Sequence, residues 1–292
     1  MPDDGYSIKD RASYFIKTRA WNIISECGII NPPIMAAQVA SKLGINVSET
    51  YLDGASGLLE PTEKGLQIKL NAEEIQVRKN FSCAHELMHT YFLDGKGRSF
   101  IETVMKIDGF NAARNLEERL CNTGAAELLM PRDMFKQAAN KLRFSVASSV
   151  ASIEPLAKMF SCSVDATSIR VAELSPAPCT RIRWKIANGT PEEPTAFRIE
   201  HSTEFKLESP PKAYPEALRL RSTKGILRSK FYKPKMDASE AVFRAYSGEG
   251  VVRSDERLRT NTVSIPCYVE SKGFSRVPWR NVISLAFPKG LL

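Results

Sequence analysis

The sequence predicts an α+β fold, with helices packed on a small sheet in the first part of the chain and a β-rich second part. Three observations carry this expectation. Apolar residues recur at helical spacing through most of residues 8–43 and 81–173. Short alternating or β-branched runs between Gly, Pro and Ser turns dominate the remainder. Charge changes at the same place: residues 1–174 carry 20 Lys+Arg against 21 Asp+Glu, whereas residues 175–292 carry 21 against 12. The whole basic excess therefore lies in the second part. Ser175-Pro176-Ala177-Pro178 reads as the linker between domains 1–174 and 175–292.

Taken in order, residues 8–27 and 33–43 read as helices, broken by Pro32-Pro33. Residues 50–53, 56–59 and 66–70 read as short strands, the last two joined by the turn-rich Glu60-Pro61-Thr62-Glu63-Lys64-Gly65. Residues 81–92 then show a helical stripe of Phe81, Ala84, Met88, Tyr91 and Phe92, with no Gly or Pro before Gly95. Residues 115–129 form a second predicted helix, ended by Met130-Pro131, and three more follow near 132–142, 149–160 and 164–173. In the basic part, residues 181–186, 196–199, 242–245, 262–269 and 281–287 read as strands. No apolar run approaches the roughly 18 residues of a membrane span, and the beginning Met-Pro-Asp-Asp-Gly-Tyr-Ser lacks a basic, apolar signal peptide. Six cysteines lie far apart with no C-x-x-C pair, which suits reduced thiols in a cytoplasmic protein.

The chemistry sits in Cys83-Ala84-His85-Glu86-Leu87-Met88-His89, an H-E-x-x-H motif on a predicted helix. A helix advances about 100° per residue, so His85 and His89 share a face and can take two corners of a tetrahedral zinc site. Glu86 lies beside the corner left open for water. The chain has three histidines, so a third imidazole would have to be His201, and a carboxylate is the common alternative. Asp94, Glu102, Asp108, Glu117, Glu118 and Glu127 are the carboxylates that follow. Glu118 stands out because Cys121, Asn122 and Ala125 on its face are small or polar, and Asn122 is placed to hold an imidazole from behind.

Two segments make a resemblance specific. Arg78-Lys79-Asn80-Phe81-Ser82-Cys83-Ala84-His85-Glu86-Leu87-Met88-His89 and Glu118-Arg119-Leu120-Cys121-Asn122-Thr123-Gly124-Ala125-Ala126-Glu127-Leu128-Leu129-Met130-Pro131 resemble the hallmarks of the ImmA/IrrE family of zinc metallopeptidases. The likeness covers roughly residues 8–173. Met88 stands where that family commonly has Gly, Cys121 where it has Ala, and Gly124 where it has Phe. The resemblance implies zinc held by His85, His89 and Glu118, with Glu86 as general base. It also implies an endopeptidase whose substrate is a helix-turn-helix transcriptional repressor cleaved after stress or DNA damage, in mobile elements or phage-defence operons. Some relatives append a GAF-like sensor domain where the β-rich part stands here.

Further expectations follow from single features. Tyr91 and His201 are the available oxyanion partners. Cys121, at i+3 from Glu118, is either a small core residue or an inhibitory thiol that fills the water position. The strand 65–70 before the motif helix is the expected edge for an extended substrate peptide. Residues 156–174 loosely resemble a helix-turn-helix with Asp165 to Arg170 as recognition helix, although the domain's neutral charge favours ordinary closing helices. Between Lys212 and Lys235 eight cations face only Glu216, with Tyr214, Phe231 and Tyr232 interleaved. Such a segment is either a solvated loop or a single-stranded DNA site using Arg219, Arg221, Lys224, Arg228, Lys230, Phe231 and Tyr232. The competing function is a non-proteolytic regulator that binds nucleic acid or repressor around a structural zinc; Glu86 argues against it, because a structural site needs no base.

Overall fold

The computed structural model describes residues 8–93, 110–143, 145, 149–175, 177, 179–205, 237–259, 264–274 and 281–289. Asp94, Glu102, Asp108 and the whole basic segment, with Arg219, Arg221, Lys224, Arg228, Lys230, Phe231 and Tyr232, lie outside the described residues. The chain divides into two compact units, one of residues 1–135 and 157–163, the other of residues 136–156 and 164–292.

The first unit contains α1 (Ile8–Glu26), α2 (Ala36–Lys42), β1 (Asn46–Thr50), β2 (Gly57–Thr62), β3 (Gly65–Asn71), α3 (Gln76–His89), a 3-10 turn (Thr90–Phe92) and α4 (Phe110–Leu129). Its sheet has the order β1-β3-β2, with β3 parallel to β1 and antiparallel to β2. The expected substrate edge at residues 65–70 is thus the central strand, paired on both sides, and β2 is an edge. Pro61, which has no N–H to give a ladder, fits that position. The first strand also lies earlier than the expected 50–53. Asn71 Nδ2 donates to the carbonyls of Leu52 (2.9 Å) and Ala55 (3.0 Å), holding that stretch as a loop around Gly54, whose φ is 67°.

Helix α3 buries Asn80, Ser82, Cys83, Ala84, Leu87 and Met88, a stripe rotated from the predicted one. Phe81 and Tyr91 stay partly exposed. Asn80 is buried and bonded at both ends of its amide: Ala36 N–H donates to its Oδ1 (2.8 Å) and its Nδ2 donates to the Ile34 carbonyl (3.0 Å), fixing the start of α2 to α3. Helix α4 buries Leu116, Leu120, Ala125 and Leu128. It is tied to α1 where Trp21 Nε1 donates to Glu127 (2.8 Å). The departures at positions 88 and 124 prove to be one exchange of volume. A Cβ added to Gly124 would lie 2.6 Å from Met88 Sδ and 2.7 Å from Ile16 Cγ1, so Met88 fills the space that a side chain at 124 would occupy.

Two short helices, α5 (Arg132–Lys141) and α6 (Ile153–Phe160), cross between the units along the chain. In the second unit follow α7 (Val164–Glu173), β4 (Cys179–Gly189), β5 (Pro194–Phe205), α8 (Glu240–Ser247), β6 (Val251–Arg259), β7 (Ser264–Phe274) and β8 (Asn281–Pro288). The five strands form an antiparallel sheet of order β5-β4-β8-β7-β6. One face packs Trp184, Phe197, Val269 and Val282 against Val242, Ala245 and Tyr246 of α8. Residues 242–245 are therefore helical, not a strand. Ala241, Val242, Ala245 and Tyr246 repeat at helical spacing, and Gly248 ends the helix at φ 96°. Strand β6, rich in charge along its sequence, was not expected.

The helix-turn-helix reading of residues 156–174 fails on the use of its side chains. Asp165 pairs with Arg181, Ser168 accepts from Arg181 Nε (2.7 Å), and Arg170 is buried against Glu173. Asp165 and Ser168 hold α7 onto β4, and Arg170 is engaged in an ion pair within α7 itself.

Candidate metal centre

Helices α3 and α4 place three polar side chains around one point. His85 and His89, one turn apart, face each other with their Nε2 atoms 3.1 Å apart. Glu118 points between them, with one carboxylate oxygen 3.2 Å from His85 Nε2 and the other 3.8 Å from His89 Nε2. The outer ring nitrogens are engaged as well: His85 Nδ1 donates to Asn122 Oδ1 (3.0 Å) and His89 Nδ1 to Glu117 Oε1 (2.8 Å).

These bonds fix the tautomers. An amide oxygen and a carboxylate only accept, so both Nδ1 atoms carry hydrogen and both neutral rings turn an Nε2 lone pair inward. Two lone pairs and a carboxylate facing one another repel unless a cation lies between them. The dimensions suit one. A tetrahedral ion with bonds of about 2.0–2.1 Å has ligand–ligand edges of about 3.3–3.4 Å; the two Nε2 atoms lie 3.1 Å apart, one Glu118 oxygen lies 3.2 Å from His85 Nε2, and one donor atom from each of the three residues lies within 4.8 Å of the others. Among the described residues this is the one group of three or more His, Cys, Asp or Glu side chains able to hold a metal ion.

The local electrostatics also favour positive charge. Burial and the neighbouring His89 lower the His85 pKa, keeping that ring neutral. Burial pulls His89 down too, but its bond to Glu117 and the charges of Glu86, Glu117 and Glu118 outweigh it and raise the pKa. Glu86 projects toward β2. Burial, aided by Glu118, pushes its carboxyl up, while His89 and a hydrogen bond from the Leu59 backbone N–H pull it back. Gly57 makes room for it: a Cβ there would stand 3.0 Å from Glu86 Cγ and 3.1 Å from its Oε1. A carboxylate so held is a base placed beside the donor set.

The structure thus brings together His85, His89, Glu118, Asn122 and Glu86. It does not bring Cys121 into the donor set. That thiol is buried, and burial with Glu117, Glu118 and Glu86 drives its pKa far up, which opposes a thiolate. Tyr91 lies under the Arg19 guanidinium, 5.5 Å from its ring centre. His201 is on β5 in the second unit, in register with Arg183. Two features escaped the sequence: Glu117 behind His89, and the Gly57–Leu59 cradle of Glu86. The doublet Glu117-Glu118 was a signal, because adjacent residues on a helix can address the outer and inner nitrogens of one imidazole.

Residues 40–172 match the family model described as IrrE N-terminal-like domain, of the M78 peptidases. This segment belongs to that family. An M78 domain is a metallopeptidase-type domain, and its matched span contains every residue of the centre just described. A solved structure of a Mycobacterium tuberculosis transcriptional regulator is similar in fold, with a TM-score of 0.61 and 16% sequence identity over 96% of this chain and 78% of that one. No curated protein matches the chain. No helix among the described residues is long and apolar enough to cross a membrane.

Proposed function

We propose that this protein is a zinc-dependent endopeptidase that cleaves a helix-turn-helix transcriptional repressor in response to stress or DNA damage. The observation that carries the proposal is the convergence of His85, His89 and Glu118 with Glu86 alongside. When bound, zinc supplies a Lewis acid and a water of lowered pKa. The chain's own residues do the rest. Glu86 receives a proton at its carboxylate and returns it to the leaving amine; its raised pKa brings it closer to the pH at which such a shuttle is efficient. Asn122 and Glu117 keep the two imidazoles in the ligating tautomer. Edge strand β2 offers its open side to an extended peptide, and Pro61 ends the pairing.

Residues 1–174 would then act as the peptidase and 175–292 as a regulatory domain. A single antiparallel sheet with a helix over its apolar face supports a GAF-like sensor there. The cations and aromatic residues between Lys212 and Lys235 support single-stranded DNA as its signal. Six free, buried cysteines support a reducing compartment, the cytoplasm.

The test is cleavage of a helix-turn-helix repressor by the purified full chain, with and without a single-stranded oligonucleotide and with and without a chelator. Metal-dependent cleavage that is lost in Glu86→Gln while zinc is retained supports the proposal. Cleavage by Glu86→Gln at the native rate contradicts the mechanism, and indifference to the oligonucleotide removes DNA as the signal.

A further inference from the structure

The two histidines of the centre are held from behind by different groups. His85 donates to a neutral amide, Asn122, which is exposed; His89 donates to a carboxylate, Glu117, which is 8% exposed. Both partners come from α4, as does Glu118, so one helix addresses both rings. Glu117 and Glu118 straddle His89, the first 2.8 Å from its Nδ1 and the second 3.8 Å from its Nε2. A carboxylate so buried must be compensated, and a divalent cation one imidazole away, together with the Nδ1–H bond, would do so.

We propose that Glu117 is a positioning residue of the metal centre. Its carboxylate accepts the Nδ1 hydrogen of His89, locks the ring with Nε2 inward, and makes that ring the stronger donor of the two. With Glu118 it also supplies the second negative charge that balances a divalent ion. Asn122 orients His85 without adding charge, so the outer partners contribute unequally and Glu117 carries more of the metal affinity. The inference rests on the zinc centre proposed above.

Two measurements on the full chain test it: zinc affinity by competition with a chromophoric chelator, and the visible absorption spectrum of the cobalt(II)-substituted protein. Outer partners of this kind are worth about 10- to 100-fold in metal affinity. Glu117→Gln keeps an accepting oxygen but no charge, and zinc affinity should fall about 10-fold. Glu117→Leu removes the acceptor, and the fall should approach about 100-fold with a changed cobalt spectrum. Asn122→Ala should cost less than Glu117→Leu. A purely structural role predicts the opposite pattern, with lower resistance to urea and unaltered zinc affinity and spectrum. Native affinity in a folded Glu117→Leu protein would overturn the proposal; should that variant fail to fold, native affinity in the isosteric Glu117→Gln would do so. If instead the wild-type protein binds no zinc, or Glu118→Ala binds it as tightly, the metal centre itself is what has failed.

Discussion

Gly57 gives the sharpest handle on the proposed base, because its lack of a side chain is what Glu86 occupies. An alanine Cβ would sit 3.0 Å from Glu86 Cγ and 3.1 Å from Oε1, with Ser82 Cβ at 3.4 Å closing the other side. Ordinary contact begins near 3.4 Å, so the Glu86 side chain must retreat by about 0.4 Å and its bond from Leu59 N–H must stretch. Misplacing a reacting group by about 1 Å costs on the order of 10²-fold. On that scale 0.4 Å corresponds to about 6-fold in kcat for Gly57→Ala. The bulkier Gly57→Val, whose methyls point into the carboxylate's place, should approach 10²-fold. The fold should not suffer, since replacing Gly by Ala within a strand contributes about 0.5–1 kcal/mol in its favour. Zinc affinity should be unchanged, because none of the three donors touches Gly57. The assay is peptide or repressor cleavage with zinc content and urea midpoint measured on the same samples. Native kcat in both variants would refute the placement of Glu86; loss of zinc would show that the centre is coupled to β2 in a way the geometry does not support.

Other perturbations read other parts of the molecule. Gly124→Ala should destabilise the fold by up to about 2 kcal/mol despite a helix preference of about 1 kcal/mol in its favour, because overpacking costs about 1–3 kcal/mol and Met88 and Ile16 are both fully buried at 2.6–2.7 Å. In a Met88→Ala background the same change should cost less by urea unfolding; strict additivity would deny the exchange of volume. All six cysteines are buried, and burial pushes the thiols of Cys83, Cys162 and Cys179 up to about 12. The native protein should therefore show no rapid reaction with a thiol reagent at pH 8, and six equivalents after denaturation; rapid native labelling of Cys121 would revive a thiol switch. Zinc affinity should fall as pH falls, because protons compete for the imidazoles. The raised pKa of His89 makes that competition set in at higher pH than for an unperturbed imidazole, and an affinity flat between pH 8 and pH 6 would count against histidine ligation.

Much of the first unit is legible in the sequence because its signals are local. The spacing of His85 and His89, the helix from residue 115 to Met130-Pro131, and the small residues flanking Glu118 all act within a few turns of one chain. What escaped depends on contacts across the chain. Whether residues 57–62 or 65–71 form the edge depends on β1 joining β3, a pairing no local pattern encodes. Glu117 acquires its role only when α4 crosses α3, and Gly57, inside the strand expected at 56–59, shows no special role until Glu86 is seen to fill its place. In the second unit Val242 to Ala245 looked like a strand because β-branching and aromaticity outweighed a short amphipathic repeat. Strand β6 was hidden by its own charges, which suit an edge open to water.

The central claim, a metal ion held by His85, His89 and Glu118, is tested most directly by anomalous diffraction at the zinc edge from crystals of the wild-type protein. One peak per chain is expected, about 2.0–2.2 Å from Nε2 of both histidines and from a carboxylate oxygen of Glu118. Zinc-soaked crystals with no peak among these three side chains, or with Glu117 or Cys121 bonded to the ion in place of Glu118, would contradict it.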